Sequence, residues 1–486
     1  MRNNVYEKRN LTMMMDLYEL TMAQGYFRQE DSGRRVAFDV FYRRNPDGGG
    51  FAVFAGLEQV LQYLEGMHFE DEDIRYLRSL NLFDEAFLEY LGNFRFTGDV
   101  YAFPEGTVMY PNEPVITVVA DLVQAQIVET EILAQVNHQS LIATKAARIV
   151  YAAKGRAVSD FGARRAHNND AAIYGARACY IGGVSGTATV SAGEYFGIPV
   201  GGTMAHSWVM FYKDELTAFR NFAKIYPDNC ILLADTYNVL KSGVPNAIRV
   251  FREMREQGIQ SKSFGIRLDS GDLAYLSIEA RKMLDDAGFP DAKIIVSNSL
   301  DEFTIRSLLH QGARIDSFGI GERMITARSE PVFGAVYKLC AVEEDGEMKP
   351  RIKISENIEK VTNPGLKEVY RAYDENGHSV ADVIAKKDED ISAVKYLIDP
   401  EKIWKQYPAG QFSFRKLQEL QLRDGKRVRE AEELTAIRAR VREQMEKEVW
   451  AEEKRFENPH GHYLDMTPSY YEMKMNLLSA GSRQEV

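Results

Sequence analysis

The sequence predicts an α/β protein built on a barrel of parallel strands, with an α/β layer before it and a further domain after it. Three observations carry this. Short apolar runs alternate with helical patterns through the middle of the chain, as expected of parallel strands joined by crossover helices. The alternation repeats about every 26 residues between Asp160 and Gly319, the length of a strand plus a returning helix. Each run ends in a polar or Gly-rich patch, and ligands in such folds bind beyond the carboxyl ends of the strands. Seven runs suit a closed or nearly closed barrel, with an open doubly wound sheet as the alternative.

The first domain is read as residues 1–145. Val36–Tyr42 and Phe51–Phe54 are strand-like, and Asn45-Pro46-Asp47-Gly48-Gly49-Gly50 turns between them. Gln124–Ala153 carries Val128, Ile132, Val136, Ala143, Ala147 and Val150 at helical spacing. The second domain, residues 146–345, holds the seven runs: Ala157–Asp160, Tyr180–Val184, Ile198–Met204, Cys230–Asp235, Ser263–Asp269, Lys293–Ser297 and Ile315–Gly319. Asp214–Tyr226, Val244–Gln257, Leu273–Ala287 and Glu302–Gln311 are helical in pattern. The third domain is residues 346–486, with a turn at Asn363-Pro364-Gly365 and a charge-laden helix over Lys426–Glu457, read as a solvated face.

Composition sets the outer limits. The chain has 486 residues, 45% of them apolar, and a net charge of −11. That is globular composition, and an acidic chain is not built to coat nucleic acid. No apolar run is long enough to span a bilayer, since Pro114–Val123 is short and contains Asp121. No signal peptide is visible, because Leu11–Phe27 carries Asp16 and Glu19. Cys179, Cys230 and Cys340 are far apart and odd in number. They have no metal-ligand spacing, so the expectation is no metal site in the protein itself and a reducing cytoplasm.

If the sheet is parallel, the strand-end patches share one mouth. They are Asp160-Phe161-Gly162-Ala163-Arg164-Arg165, Ser185-Gly186-Thr187, Gly201-Gly202-Thr203-Met204-Ala205-His206-Ser207, Asp235-Thr236-Tyr237, Arg267-Leu268-Asp269-Ser270-Gly271-Asp272, Ser297-Asn298-Ser299 and Gly319-Ile320-Gly321. Arginines fork onto phosphate oxygens. Backbone N–H groups in Ser297–Ser299 and Gly319–Gly321 can cradle another phosphate. Asp235 and Asp269 can accept ribose hydroxyls or hold Mg²⁺ through a bound pyrophosphate. Taken singly, each patch is ordinary turn and capping chemistry; together they suit a multiply phosphorylated sugar. A phosphate-binding GxxxxGK[ST] loop, a complete GxGxxG and an HExxH are all absent.

At these residues the chain resembles the nicotinate phosphoribosyltransferase family. The likeness begins at Asp16-Leu17-Tyr18-Glu19-Leu20-Thr21, runs through the patches at Asp160, Gly202, Arg267 and Phe318, and reaches Lys353-Ile354-Ser355-Glu356-Asn357 and Asn363-Pro364-Gly365. It implies an irregular α/β barrel beside an N-terminal α/β sandwich. It implies transfer of phosphoribose from phosphoribosyl pyrophosphate (PRPP) to nicotinate, giving nicotinate mononucleotide and pyrophosphate, coupled to ATP hydrolysis with Mg²⁺, in NAD salvage. It also implies a homodimer with shared active sites.

The resemblance assigns residues one by one. His206 matches the histidine that ATP phosphorylates. Phe161 and Tyr18 match the aromatics that sandwich the pyridine ring, Tyr18 from the other subunit. Arg164 and Arg267 match arginines near the base and PRPP phosphates; Asp235 and Asp269 match carboxylates near the ribose and pyrophosphate. Ser297, Asn298, Gly319 and Gly321 match loops around the 5′-phosphate. Arg165 is the candidate partner of the nicotinate carboxylate, and Thr187 lies beside the substrate. Ala188 stands where nicotinamide-using relatives carry an Asp, which favours the acid over the amide. Glu322 stands where relatives often have Thr, and Asn298-Ser299 is less glycine-like than usual. The rival readings are a nicotinamide or quinolinate enzyme, and a silent phosphosugar-binding regulator.

Overall fold

The computed structural model describes residues 9–355, 357 and 360–482. Glu356 of the Lys353–Asn357 motif lies outside the described residues. The chain divides into two compact units. One comprises residues 145–331; the other comprises 2–144 and 332–486.

The 145–331 unit is built on six strands: β1 (Ala157–Asp160), β2 (Gly186–Thr187), β3 (Cys230–Leu233), β4 (Phe264–Leu268), β5 (Lys293–Asn298) and β6 (Ser317–Ile320). Their order is β2-β1-β6-β5-β4-β3, and every pairing is parallel. The strands are short and apolar because helices cover the sheet; Ile231, Leu232, Ile266, Leu268, Ile294 and Val296 are all buried. Helices Glu215–Ile225, Val244–Glu256, Leu273–Asp286 and Glu302–His310 fall where the periodicity predicts them. Asp214, Asp272 and Asp301 cap three of them by accepting backbone N–H bonds at 2.8, 3.1 and 2.8 Å. Gly288, at φ 82°, closes the Leu273–Asp286 helix and turns the chain toward β5.

Two of the seven expected strands are corrected. Tyr180 and Ile181 end the helix Asn169–Ile181, and the strand begins later, at Gly186. Ala172, Ala176, Cys179 and Tyr180 are buried at helical spacing, and a short apolar run cannot by itself separate a buried helix from a strand. The run Ile198–Met204 makes one parallel bridge, Val200 to Thr187. Pro199 has no N–H to give to a ladder, and Gly201 and Gly202 follow at once. The result is an irregular barrel whose edge strands β2 and β3 are not paired to each other among the described residues.

In the second unit the two ends of the chain share a sheet. Val336–Glu344 pairs antiparallel with Arg35–Phe41, and Glu419–Arg423 with Asp99–Ala102. The whole sheet has seven strands. A second, six-stranded sheet includes Lys367–Tyr373, Ser379–Lys386 and Tyr463–Met466. The long helix read at Gln124–Ala153 is Leu122–Gln126 followed by Glu129–Ala152. The helix read at Lys426–Glu457 is shorter: Lys426–Arg427 form a strand, Leu434–Glu443 the helix, and Gln444–Glu448 a wider terminal turn. Mixed charge supported it locally, as in the Glu443–Lys447 pair at 2.8 Å, but Leu422 and Arg427 are claimed by strand pairing.

Candidate active site

The parallel strands deliver their carboxyl ends to one side of the sheet, and most of the expected residues meet there. His206 opens the helix His206–Phe211. Its Nδ1 lies 3.1 Å from the Thr236 hydroxyl. Its Nε2 lies 4.0 Å from Asp235 Oδ1 and 4.0 Å from Asp269 Oδ2. Both distances are too long for a hydrogen bond, and the imidazole is 41% exposed.

The two carboxylates are held differently. Asp235 Oδ2 accepts the Asp269 N–H at 3.0 Å and the Ser270 hydroxyl at 2.6 Å. Asp235 Oδ1 is buried with no hydrogen-bond partner. Asp269 Oδ1 accepts the Ser297 hydroxyl, and its side chain is 40% exposed. Strand ends β3, β4 and β5 are thus tied together by hydroxyl-to-carboxylate bonds, while one oxygen of each acid is left facing the imidazole.

Arg267 grips the loop before His206. It donates to Thr203 Oγ1 at 2.7 Å and to the Met204 carbonyl at 2.8 Å; its buried Nε has no partner. Burial pulls this guanidinium below its ordinary pKa. The Arg164 charge pulls the same way, and Asp269 and Asp235 oppose it. Two neighbouring cations and an unused N–H make a place for an anion.

Phe161 and Gly319 depend on each other. A Cβ on Gly319 would sit 2.3 Å from Phe161 Cε2, so a glycine lets the ring lie against β6. Phe161 N–H donates to the Ile320 carbonyl at 2.7 Å. Gly321 accepts from the Met324 and Ile325 N–H groups, both at 3.2 Å. Arg164 and Arg165 lie in a short helical turn, exposed, and no side-chain hydrogen bond or ion pair holds either guanidinium among the described residues.

Thr187 is placed as a support. It is 1% exposed, donates to Asp160 Oδ2 at 2.7 Å and accepts the Thr189 N–H at 3.0 Å. Asp160 also accepts the Gly162 N–H at 2.8 Å; burial raises its pKa and these two bonds pull it back. Ala188 follows, exposed. Ser297 is buried against Asp269, and Asn298 ends β5 at φ 130°. Tyr18 belongs to the other unit, on the helix Leu17–Arg28, 44% exposed. Burial raises its pKa and the Glu129 carboxylate adds to this. Next to it, buried Glu19 accepts the Asp16 N–H at 3.2 Å and the Thr130 hydroxyl, and burial lifts it to about 7.

Thr236, Ser270 and Thr203 were not singled out from the sequence. Each is a hydroxyl at a strand end or in a quoted patch, next to a residue that was, which is the one signal available. Among the described residues no group of three or more His, Cys, Asp or Glu is placed to hold a metal ion, and no helix is long and apolar enough to cross a membrane.

Three family models match the chain: the nicotinate phosphoribosyltransferase N-terminal domain over residues 13–137, the family itself over 156–379, and its C-terminal domain over 366–474. The nicotinate phosphoribosyltransferase of Bacillus subtilis is 46% identical, covering 96% of this chain and 95% of that protein. That of Caenorhabditis elegans is 31% identical, covering 95% and 92%. The crystal structure of human nicotinic acid phosphoribosyltransferase superposes with a TM-score of 0.83 at 27% identity, covering 96% of this chain and all of that one.

Proposed function

Since the chain belongs to the nicotinate phosphoribosyltransferase family, we propose that it joins nicotinate to the phosphoribosyl group of PRPP in NAD salvage, and that ATP drives the reaction through a phosphohistidine on His206. The observation that carries the phosphohistidine is the position of His206 Nε2. It lies 4.0 Å from each of two carboxylates, is bonded to neither, and is open to solvent. With the Nδ1 proton donated to Thr236 Oγ1, the Nε2 lone pair is free to attack the γ-phosphorus of ATP. The N–P bond forms as the bond to the ADP oxygen breaks, and water later returns the phosphoryl group as phosphate.

In the transfer itself the pyridine nitrogen attacks C1 of the ribose, and the C1–O bond breaks with its electron pair leaving on pyrophosphate. No strong base is needed, because the nucleophile is already neutral. The residues supply charge and position. Arg267 and Arg164 face the leaving anion, and the Asp269 carboxylate stabilises positive charge developing on the ribose. Phe161 gives a face for the pyridine ring, a contact worth about 0.5–1.5 kcal/mol beyond burial. Arg165 pairs with the nicotinate carboxylate, and Ala188 leaves no acid to repel it. Thr187 acts by holding Asp160 and the end of β2. The free oxygens of Asp235 and Asp269 would hold a Mg²⁺ bound with pyrophosphate, and that ion would supply neutralisation of leaving-group charge.

We further read the enzyme as a cytoplasmic homodimer in which Tyr18 of the partner subunit closes the base site. Its exposure and the three buried free cysteines support this reading.

The test is mononucleotide formation from PRPP and Mg²⁺ with nicotinate and nicotinamide in parallel, each with and without ATP. Product from nicotinate, strongly raised by ATP, together with an acid-labile phosphoprotein lost in His206→Ala, is expected. Product from nicotinamide would overturn the specificity argued from Ala188; no product from either would favour a silent phosphosugar binder.

A further inference from the structure

The 332–486 segment encloses a cavity of about 520 Å³, within the usual range for small-molecule sites. Its walls are aromatic: Tyr407, Phe412, Trp450 and Tyr463. Two of these rings are fixed by neighbours that lie away from the cavity floor. Trp450 donates its indole N–H to the Ser379 carbonyl at 2.7 Å and stacks on His378 at 4.5 Å. Phe412 packs on the core cluster of Ala372, Val383, Leu397 and Ala409.

One acid among these walls is incomplete. Asp465 is 2% exposed, lines the cavity, and its buried Oδ1 has no hydrogen-bond partner. A buried acceptor left unpaired costs free energy and calls for an explanation. Its neighbour Glu453 is different: both oxygens are used, by Tyr110 at 3.1 Å and His462 at 2.9 Å. Burial lifts Asp465 to about 6, with Asp399 adding to the rise and His462 and Lys405 opposing it, so it is a carboxylate at neutral pH. One cation–π site is already taken: Lys402 and Lys405 Nζ lie 5.8 and 5.4 Å from the Tyr463 ring centroid, so the faces left for a guest are those of Tyr407, Phe412 and Trp450.

We propose that this cavity binds a small organic cation, a protonated amine on an apolar or aromatic body, with the ammonium donating to Asp465 Oδ1 and the body lying between the aromatic walls. Asp465, Glu452 and Glu453 line the cavity and Asp399 lies near Asp465, against His460 in the lining and Lys402 and Lys405 at Tyr463, so acids outnumber cations around it and an anion is disfavoured. A purely apolar guest would leave the Oδ1 acceptor unfilled. A cation satisfies the carboxylate and gains cation–π attraction from the rings.

The test is calorimetric titration of the full chain at neutral pH with 2-phenylethylammonium, and with 2-phenylethanol as its uncharged isostere. Saturable binding of the amine, about tenfold or more tighter than the alcohol, is expected. Asp465→Asn should remove that preference and leave alcohol binding intact, which also reports that the cavity is still folded. In Phe412→Ala both ligands should weaken together. Equal affinity for the two ligands, no saturable binding of the amine, or an unchanged preference in Asp465→Asn would each overturn the proposal.

Discussion

Each unit contains a histidine between two carboxylates, and the two sites are built to opposite ends. In the barrel unit His206 Nε2 is 4.0 Å from both Asp235 and Asp269 and the ring is 41% exposed. In the other unit His462 reaches Glu453 at 2.9 Å and Asp382 at 3.7 Å, is 1% exposed, and stacks on Tyr110 at 3.6 Å between centroids. Arg371, fully buried, forks onto both oxygens of Asp382 at 2.8 and 2.6 Å. The same residue types therefore give an exposed imidazole with an unbonded Nε2 in one place and a fully buried, ion-paired one in the other. Contact distance and burial, not residue identity, decide between chemistry and structure.

The largest effect that separates the two sites is expected at His206. His206→Asn should lower ATP hydrolysis by a factor on the order of 10³ or more, as removal of a nucleophile does. Weak PRPP-dependent synthesis should persist, and folding stability should shift by less than about 0.5 kcal/mol, since the ring is half exposed and loosely held. ATP hydrolysis and urea unfolding on the same preparation check this. A large stability loss with ATP hydrolysis intact would make His206 a second His462 and erase the contrast.

Arg371→Met is the converse. It leaves Asp382 buried with Glu113 and His462 but without its guanidinium, and removing one partner of a buried pair costs about 3–5 kcal/mol. Urea unfolding followed by circular dichroism should show that loss, with ATP hydrolysis per folded molecule unchanged. A loss below about 1 kcal/mol would mean that the buried network is dispensable.

How much of this contrast was legible differs between the sites. The barrel strands β1, β3, β4, β5 and β6 and the residues at their ends followed from period and punctuation, because a buried parallel strand and its loop differ sharply in composition. His206, Asp235, Asp269 and Arg267 fell together for that reason. The Thr236, Ser270 and Ser297 bonds that orient them did not, since Ser and Thr at strand ends are ordinary turn chemistry until distances are known. Thr187 was read as touching substrate, whereas its hydroxyl is spent on Asp160 and Thr189. The His462 network was invisible. Tyr110 lies more than 250 residues before Arg371 and Asp382, which themselves precede Glu453 and His462 by about 70 to 90, and the pairing of Glu419–Arg423 with Asp99–Ala102 is a long-range contact that no local pattern encodes.

The pH dependence sharpens the comparison further. Burial pulls His462 down, but the Asp382 and Glu453 carboxylates beside it more than reverse this, so its folded pKa lies above the ordinary value. A histidine with a raised folded pKa stabilises fully below its unfolded pKa of about 6.5, and loses that contribution as pH rises through the folded value. The stability gap between wild type and His462→Gln should therefore be widest at about pH 6 and shrink as pH rises toward 9. A gap that widens with pH would mean His462 is held neutral, and the internal ion would be lost from the argument.

The smallest effect tests whether the barrel mouth stays unfinished in its backbone as well as its hydrogen bonds. Asn298 ends β5 at φ 130°, a left-handed backbone region that suits glycine, and its Oδ1 accepts the Ser299 N–H at 2.6 Å. Strain of this kind costs about 1–3 kcal/mol. Glycine relieves it but adds about 0.5–1 kcal/mol of unfolded-state entropy, and the Ser299 bond is lost. Asn298→Gly should therefore gain no more than about 2 kcal/mol of stability in urea unfolding. If that strain holds the loop in position for the 5′-phosphate, the same variant should raise the KM for PRPP while leaving kcat nearly unchanged. A gain in stability with an unchanged KM would show that the strained turn belongs to the fold alone. A gain paired with weaker PRPP binding would show that the mouth gives up stability to hold its shape, as the unpaired Asp235 oxygen and Arg267 Nε do beside it.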